Sequence, residues 1–257
     1  MLPRTDRVHT NRTRAESFGA VAEVYELARP SYPPALVDDL LAGAPADALD
    51  VGCGTGKAAR LLTQRGVPVL GVEVDARMAA VARAHGLTVD IGTFEQWKAA
   101  GRQFDLIVSG QAWHWIDPDA GAAKAAVLLR RGGLLAPFWN FSAVDAALRA
   151  RIDAAYARVA PQVTDRSMAR SGGPATIPPA VEQLRASGLF ANVEHRRYPW
   201  ARDYTRDEWL ALVRTHSDHS TLPAGQLAAL LDAVGEAIGD QLVHANYVTQ
   251  AIFARRD

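Results

Sequence analysis

Three groups of residues in this chain have the types and spacing that chemistry needs. Asp50, Gly52, Gly54 and Gly56 lie within "LDVGCGTGK" (residues 49–57), an apolar run that ends in an acid and then in alternate glycines. Glycine reaches backbone conformations closed to other residues and lets a ligand come against the main chain, so this stretch predicts a strand breaking into a tight, closely approached turn. Glu73 follows 21 residues after Gly52, at the end of the apolar "VPVLGVE" (67–73), where its two carboxylate oxygens can accept from a pair of hydroxyls. The third group is "QAWHWID" (111–117), in which His114 stands between Trp113 and Trp115. An imidazole with an ordinary pKa near ~6.5 inside an aromatic wall is a candidate base or substrate contact, and equally a packed histidine bonded to backbone.

Glycine-rich strand-to-helix turns serve few ligands. A phosphate loop requires G-x-x-x-x-G-K-[ST]; Gly56-Lys57 gives its end, but Val51 stands at the first glycine and Ala58 at the hydroxyl. A dinucleotide fingerprint, G-x-G-x-x-G/A, requires a tiny residue where Lys57 stands, because helix and strand must pack closely there. That reading is weakened and stays open. The third pattern, D-x-G-x-G-x-G, resembles the first motif of the class I S-adenosylmethionine-dependent methyltransferases.

The resemblance covers residues 17 to about 140. "SFGAVAEVYELARPSYP" (17–33), "ALDVGCGTGKAARLLTQRG", "VLGVEVDARM", "GTFEQW" and "SGQAWHWIDP" look like successive blocks of the methyltransferase type 11 group, which includes trans-aconitate and ubiquinone-biosynthesis methyltransferase-like enzymes. It implies an α/β, Rossmann-like doubly wound sheet of seven strands, in the order 3-2-1-4-5-7-6 with the last strand antiparallel, and a helical cap insertion. It also implies S-adenosyl-L-methionine as cofactor, S-adenosyl-L-homocysteine as product and a small-molecule acceptor methylated on O, N or C. A carboxylate acceptor would need no base, and His114 would then orient or neutralise the acid.

On that reading the amino-acid end of the cofactor lies over Gly52, Cys53, Gly54 and Gly56, Asp50 helps to hold its ammonium, and Glu73 takes the ribose hydroxyls. The resemblance puts Thr93 and Phe94 beside the adenine, with Val74 and Met78 in the same cofactor-binding set, and Gln111 near the methionine end. Tyr25 and Arg29 would close over the cofactor, Arg29 pairing with its carboxylate. Met78 and Phe94 are also simple core residues, and Cys53 reads as a small apolar filler. His216 and His219 in "RTHSDHS" could line a substrate cavity or end a solvated helix; a metal site there lacks a third convincing ligand, so no metal is expected.

The elements that must position these residues alternate. Strand patterns at "ALDV" (48–51), 67–73, "LTVDI" (87–91), "FDLIVS" (104–109) and "GLLAPFW" (133–139) are separated by helical patterns, the order of parallel βαβ units. Asp117 and Pro118 open the third of those helices as cap and first residue. After residue 140 the pattern gives a helix in "FSAVDAALRARIDAAYARVA", a hinge-like "RSGGPATIPP", a helix in "PAVEQLRASG", a strand in "NVEHRRYPW", a helix opened by the capping box Thr205 to Glu208, a helix in "AGQLAALLDAVGEAIG" and a final strand in "NYVTQAIFARR". Residues 1–257 are expected to form one domain, with 1–16 a flexible tail and 141–190 an inserted cap.

With 257 residues, 49% hydrophobic, the chain can bury a large core. Lys+Arg and Asp+Glu both count 28, which gives no long-range attraction for nucleic acid or an anionic membrane. The single cysteine excludes an internal disulfide. No apolar run approaches a membrane span or a signal-peptide core, so a cytoplasmic monomer or homodimer is expected. Two alternatives stay open from the sequence: an NAD-dependent oxidoreductase, and a non-catalytic S-adenosylmethionine-binding regulator.

Overall fold

The computed structural model describes residues 22–163, 178–216, 218–219 and 222–257. The expected tail 1–16 and most of "RSGGPATIPP" lie outside those residues. The strands are β1 (Ala48–Val51), β2 (Val69–Glu73), β3 (Thr88–Ile91), β4 (Phe104–Gly110), β5 (Leu129–Ala143), β6 (Phe190–Tyr204) and β7 (Val243–Arg256). The helices are α1 (Ala22–Ala28), α2 (Pro34–Leu41), α3 (Lys57–Thr63), α4 (Ala76–Ala84), α5 (Pro118–Leu128), α6 (Ala146–Val159), α7 (Pro178–Ala186), α8 (Arg206–Arg214) and α9 (Ala224–Ile238). The strands form one sheet in the order β3-β2-β1-β4-β5-β7-β6. The first five are parallel, and β7 runs antiparallel to both β5 and β6. This is the Rossmann-like α/β order that the sequence led us to expect.

Alternation along the strands sorts the core into two faces. Leu49, Val51, Ile107 and Leu135 point to the face covered by α5 and α7, whereas Ala48, Leu106, Val108 and Ala136 meet α2, α3 and α4. A third cluster joins α6, α8 and α9 to Tyr204 of β6 and to Val243, Ala245 and Tyr247 of β7. It can form because β5 outruns its parallel neighbour: β4 pairs only as far as Gly110 with Phe138, and residues 139–143 continue against β7. The late strands thus carry a helical layer past the end of the parallel sheet, beside the edge where α/β sheets bind ligands.

Two boundaries differ from expectation for local reasons. Phe141, Ser142 and Ala143 extend β5 instead of opening a helix, because Asp145 caps α6 by accepting from the Ala147 and Leu148 amides. β5 also begins earlier, at Leu129, where Gly132 (φ 75°) and a register shift against β4 turn an apparent helix end into an irregular strand start. Of the helices expected within a cap over 141–190, α6 joins the third cluster while α7 packs on the sheet face beside α5. The Thr205–Glu208 capping box is present in both directions, at 3.2 Å and 2.8 Å, a feature worth about 1 kcal/mol.

Candidate active site

Asp50 ends its strand with the carboxylate buried. Its Oδ2 accepts from the Ala59 amide at 3.1 Å, in the first turn of α3. Gly56, at the N-cap of that helix, has no side chain to cap with, so Asp50 satisfies one of the orphan amides from across the turn. Its Oδ1 is buried and has no hydrogen-bond partner among the described residues. Burial pushes the Asp50 carboxyl up to about 7, helped by the Glu73 charge and opposed by the Ala59 amide.

The glycine turn is latched to the end of β2. The Gly52 and Cys53 amides both donate to the Val72 carbonyl, at 2.8 and 3.2 Å. Glu73 accepts from the Gly54 amide through Oε2 at 2.8 Å and from the Val74 and Asp75 amides through Oε1 at 2.9 Å each. Burial still raises the Glu73 carboxyl above its ordinary range, against the pull of those amides. Gly52 is required twice over: its φ is 66°, and a Cβ there would stand 2.5 Å from the Cβ of Ala112.

A cavity of about 750 Å³ opens above this turn, lined by Gly52, Gly54, Glu73, Val74, Met78, Thr93, Phe94 and Trp115 among others. A second, of about 470 Å³, holds Arg29, Asp50, Cys53, Lys57 and Asn140. Tyr25, Gly52, Gly54, Gly110 and Gln111 line both. Every expected cofactor residue therefore faces one of the two spaces except Gly56, which stands behind them against Leu87. Thr93 adds a buried hydroxyl without a hydrogen-bond partner among the described residues. Gln111 holds a left-handed φ of 61°, strain of about 1 kcal/mol placed where the two cavities meet. The Cys53 thiol is pushed well above its usual range by burial and by the neighbouring Asp50 and Glu73 carboxylates, which suits a filler and not a nucleophile.

The N-terminal helix is tied down from two sides. Lys57 donates to the Glu26 carbonyl, and the Glu26 carboxylate pairs with both Lys57 and Arg60. Arg29 donates through Nε to the Thr215 hydroxyl at 2.8 Å and through Nη2 to the Thr215 carbonyl at 2.9 Å, and its guanidinium lies 5.2 Å from the centre of the Tyr25 ring. Five N–H donors make up a guanidinium, so these two bonds leave donors facing the smaller cavity.

In "QAWHWID", Trp113–Trp115 form one turn of 3₁₀ helix. Trp113 is core, and Trp115 and Ile116 line the larger cavity, but His114 is not among its lining residues. His114 Nδ1 accepts from the Trp139 indole N–H at 3.1 Å, and its ring packs 4.8 Å from that of Trp115. An Nδ1 that accepts belongs to a neutral imidazole carrying its proton on Nε2.

Sequence reasoning missed Tyr32, Lys57 and Asn140 as cavity residues, since each arrives through a contact distant along the chain: Asn140 donates to the Ser31 carbonyl and accepts from Thr249, while Tyr32 packs edge-on to Phe138. His216 and His219 do not line either cavity. The structure instead brings them together with Asp218, a third possible ligand that the sequence did not single out.

Comparison with known proteins bears on this geometry. A model of the methyltransferase domain matches residues 49–136. An uncharacterised methyltransferase of Mycobacterium tuberculosis is 30% identical over 239 residues, spanning 92% of this chain and 91% of its own length. The chain belongs to the class I S-adenosylmethionine-dependent methyltransferase family. Among solved structures, one assigned as a type II methyltransferase of Anaeromyxobacter dehalogenans covers 88% of this chain and 97% of its own at 24% identity, with a TM-score of 0.62. A phosphoethanolamine N-methyltransferase of Haemonchus contortus, bound to phosphomonomethylethanolamine and S-adenosylhomocysteine, shares the fold at 17% identity and a TM-score of 0.53, over 96% of this chain and 59% of its own. The matched range begins at Leu49 and so includes the turn of Asp50, Gly52 and Gly54 that floors the cavities.

Proposed function

We propose that this methyltransferase uses S-adenosylmethionine to methylate a small-molecule acceptor, with S-adenosylhomocysteine as the second product. The observation that carries this reading is Asp50 Oδ1, a buried carboxylate oxygen without a partner among the described residues, facing a cavity whose floor is glycine backbone. A buried acceptor of that kind calls for a donor, and an ammonium group supplies one with the matching charge. When bound, S-adenosylmethionine supplies an electrophilic methyl group on a sulfonium sulfur.

The residues divide the work. Asp50 accepts from the ammonium, and Arg29, fixed by Thr215, directs its remaining N–H groups to the carboxylate of the same amino-acid end. Glu73 keeps lone pairs beyond its three amide bonds for the ribose hydroxyls, while Val74, Met78, Thr93 and Phe94 enclose the base. Tyr25, Gln111 and Trp115 exclude water from the space between, which matters because an in-line displacement depends chiefly on alignment. His114, whose Nδ1 accepts from Trp139 and whose ring packs on Trp115, stands behind the cavity wall; it positions Trp115 and does not act as a base.

A dinucleotide suits the site poorly. The buried Asp50 charge would face a pyrophosphate, and Lys57 reaches to Glu26 in place of the tiny residue that such a turn needs. Among the described residues no helix is long and apolar enough to cross a membrane. The test is release of S-adenosylhomocysteine, followed by chromatography, when the protein meets S-adenosylmethionine and a panel of carboxylic acids, phenols and amines. Turnover with at least one small-molecule class is expected; binding of cofactor without release above the blank for any class would leave a non-catalytic binder.

A further inference from the structure

We propose that His216, Asp218 and His219 form a binding site for one divalent transition-metal ion, zinc being the natural occupant, at the end of helix α8. One ligand atom from each residue can be chosen so that all lie within 4.8 Å of one another, and no other such group occurs among the described residues. The local backbone explains the convergence. After Thr215 ends the helix, the His219 amide donates to the His216 carbonyl at 3.0 Å, a turn that puts the imidazoles at i and i+3 on one side, with ring centres 5.3 Å apart.

Two observations point to an ion and not to ordinary packing. The Nδ1 atoms of His216 and His219 are both buried and have no hydrogen-bond partner among the described residues. The Asp218 carboxylate stands 3.1 Å from His219 Nδ1, close to the spacing of about 3.3 Å between neighbouring ligands around a tetrahedral ion with bonds near 2.0–2.1 Å. The outer bond that a metal-ligating histidine needs is also present: His219 Nε2 meets the Tyr156 hydroxyl at 2.9 Å, which fixes the ring and leaves Nδ1 turned to the cluster. Two imidazoles and one carboxylate suit zinc, with a coordination position left for water.

Charges of both signs flank the site. Arg29 opposes a cation, but its guanidinium is bonded to Thr215, and the Asp218 carboxylate lies within the cluster itself. The consequence is mechanical. Thr215, next to His216, holds Arg29 at the smaller cavity, so an ion here would pin the anchor of that arginine to Tyr156 of α6.

The test needs no cofactor. The full chain, stripped with a chelator and dialysed, would be titrated with cobalt(II) while the visible d–d bands of low-coordinate cobalt are followed, and zinc retained after dialysis would be counted by mass spectrometry. One equivalent is expected, with the bands lost in His216→Ala and Asp218→Asn. Tyr156→Phe should keep the stoichiometry and weaken affinity roughly 10–100-fold. Circular dichroism would show that each variant is folded, and the titration of the unaltered protein stands on its own. No cobalt bands and no retained zinc in the unaltered chain, or bands unchanged in folded His216→Ala, would overturn the proposal.

Discussion

The two sides of the binding edge are built by opposite means. At the β1–β2 side the ligand-facing groups lie within one short run of chain, from Asp50 to Glu73, and are set by backbone: a left-handed Gly52, amides donated to Val72 and a carboxylate latched to Gly54. At the β5–β7–β6 side the polar groups meet across the whole chain. Thr249 bonds to Asn140 and Trp200 to Thr249, while Arg29 reaches Thr215, 186 residues away. The first side is dictated by backbone conformation and close approach; the second is side-chain work, free to differ with the acceptor proposed above.

Substitutions on each side should break this contrast in different currencies. The largest effect belongs to Gly52→Val, which adds left-handed strain and overpacking against Ala112: a loss of more than about 2 kcal/mol in thermal stability is expected, with no S-adenosylhomocysteine binding by calorimetry. Asp50→Asn comes next and separates binding from folding. A carboxyl raised to about 7 holds more protons folded than unfolded, so the ligand-free protein should lose stability as pH rises from about 4 to about 7, on the order of 4 kcal/mol from this group, and then level off. The asparagine variant should lack that loss, melt higher than the unaltered protein at pH 8, and bind S-adenosylhomocysteine about 10–100-fold more weakly, the worth of one charge-assisted bond.

On the other side the effects should be smaller and fall on turnover. Thr249→Val would strand the Trp200 indole N–H and free the Asn140 amide, costing about 1–3 kcal/mol by chemical denaturation with cofactor affinity within about twofold. His114→Ala should loosen the Trp115 wall and lower kcat about threefold at saturating acceptor with cofactor affinity within about twofold; an unaltered rate would assign His114 to packing alone.

The same contrast decides what could be read from the sequence. The glycine turn and the caps at Asp117 and Thr205 were legible because each depends on residues close in sequence, whereas the strand order came only from the family resemblance. Glu73 was named from its spacing after the turn and Thr93 from the resemblance, and both line the larger cavity. Lys57 drew notice only as a misfit for other ligands; its bond to Glu26 needed the fold. Tyr32, Asn140 and the Asp218 cluster carried no short-range signal, since a tyrosine before a proline or an acid between histidines is common on any surface. The start of β5 misled because "AAVLLRR" satisfies a helix as well as a strand, and only the pairing with β4 decides.

The most direct measurement is a calorimetric titration of the unaltered protein with S-adenosylhomocysteine and, in parallel, with NAD. Binding of S-adenosylhomocysteine with one site per chain, stronger at pH 8 than at pH 6 as Asp50 ionises, and no heat from NAD is the expected result. NAD binding with none of S-adenosylhomocysteine at millimolar ligand would contradict the assignment of the glycine turn and of every residue placed around it.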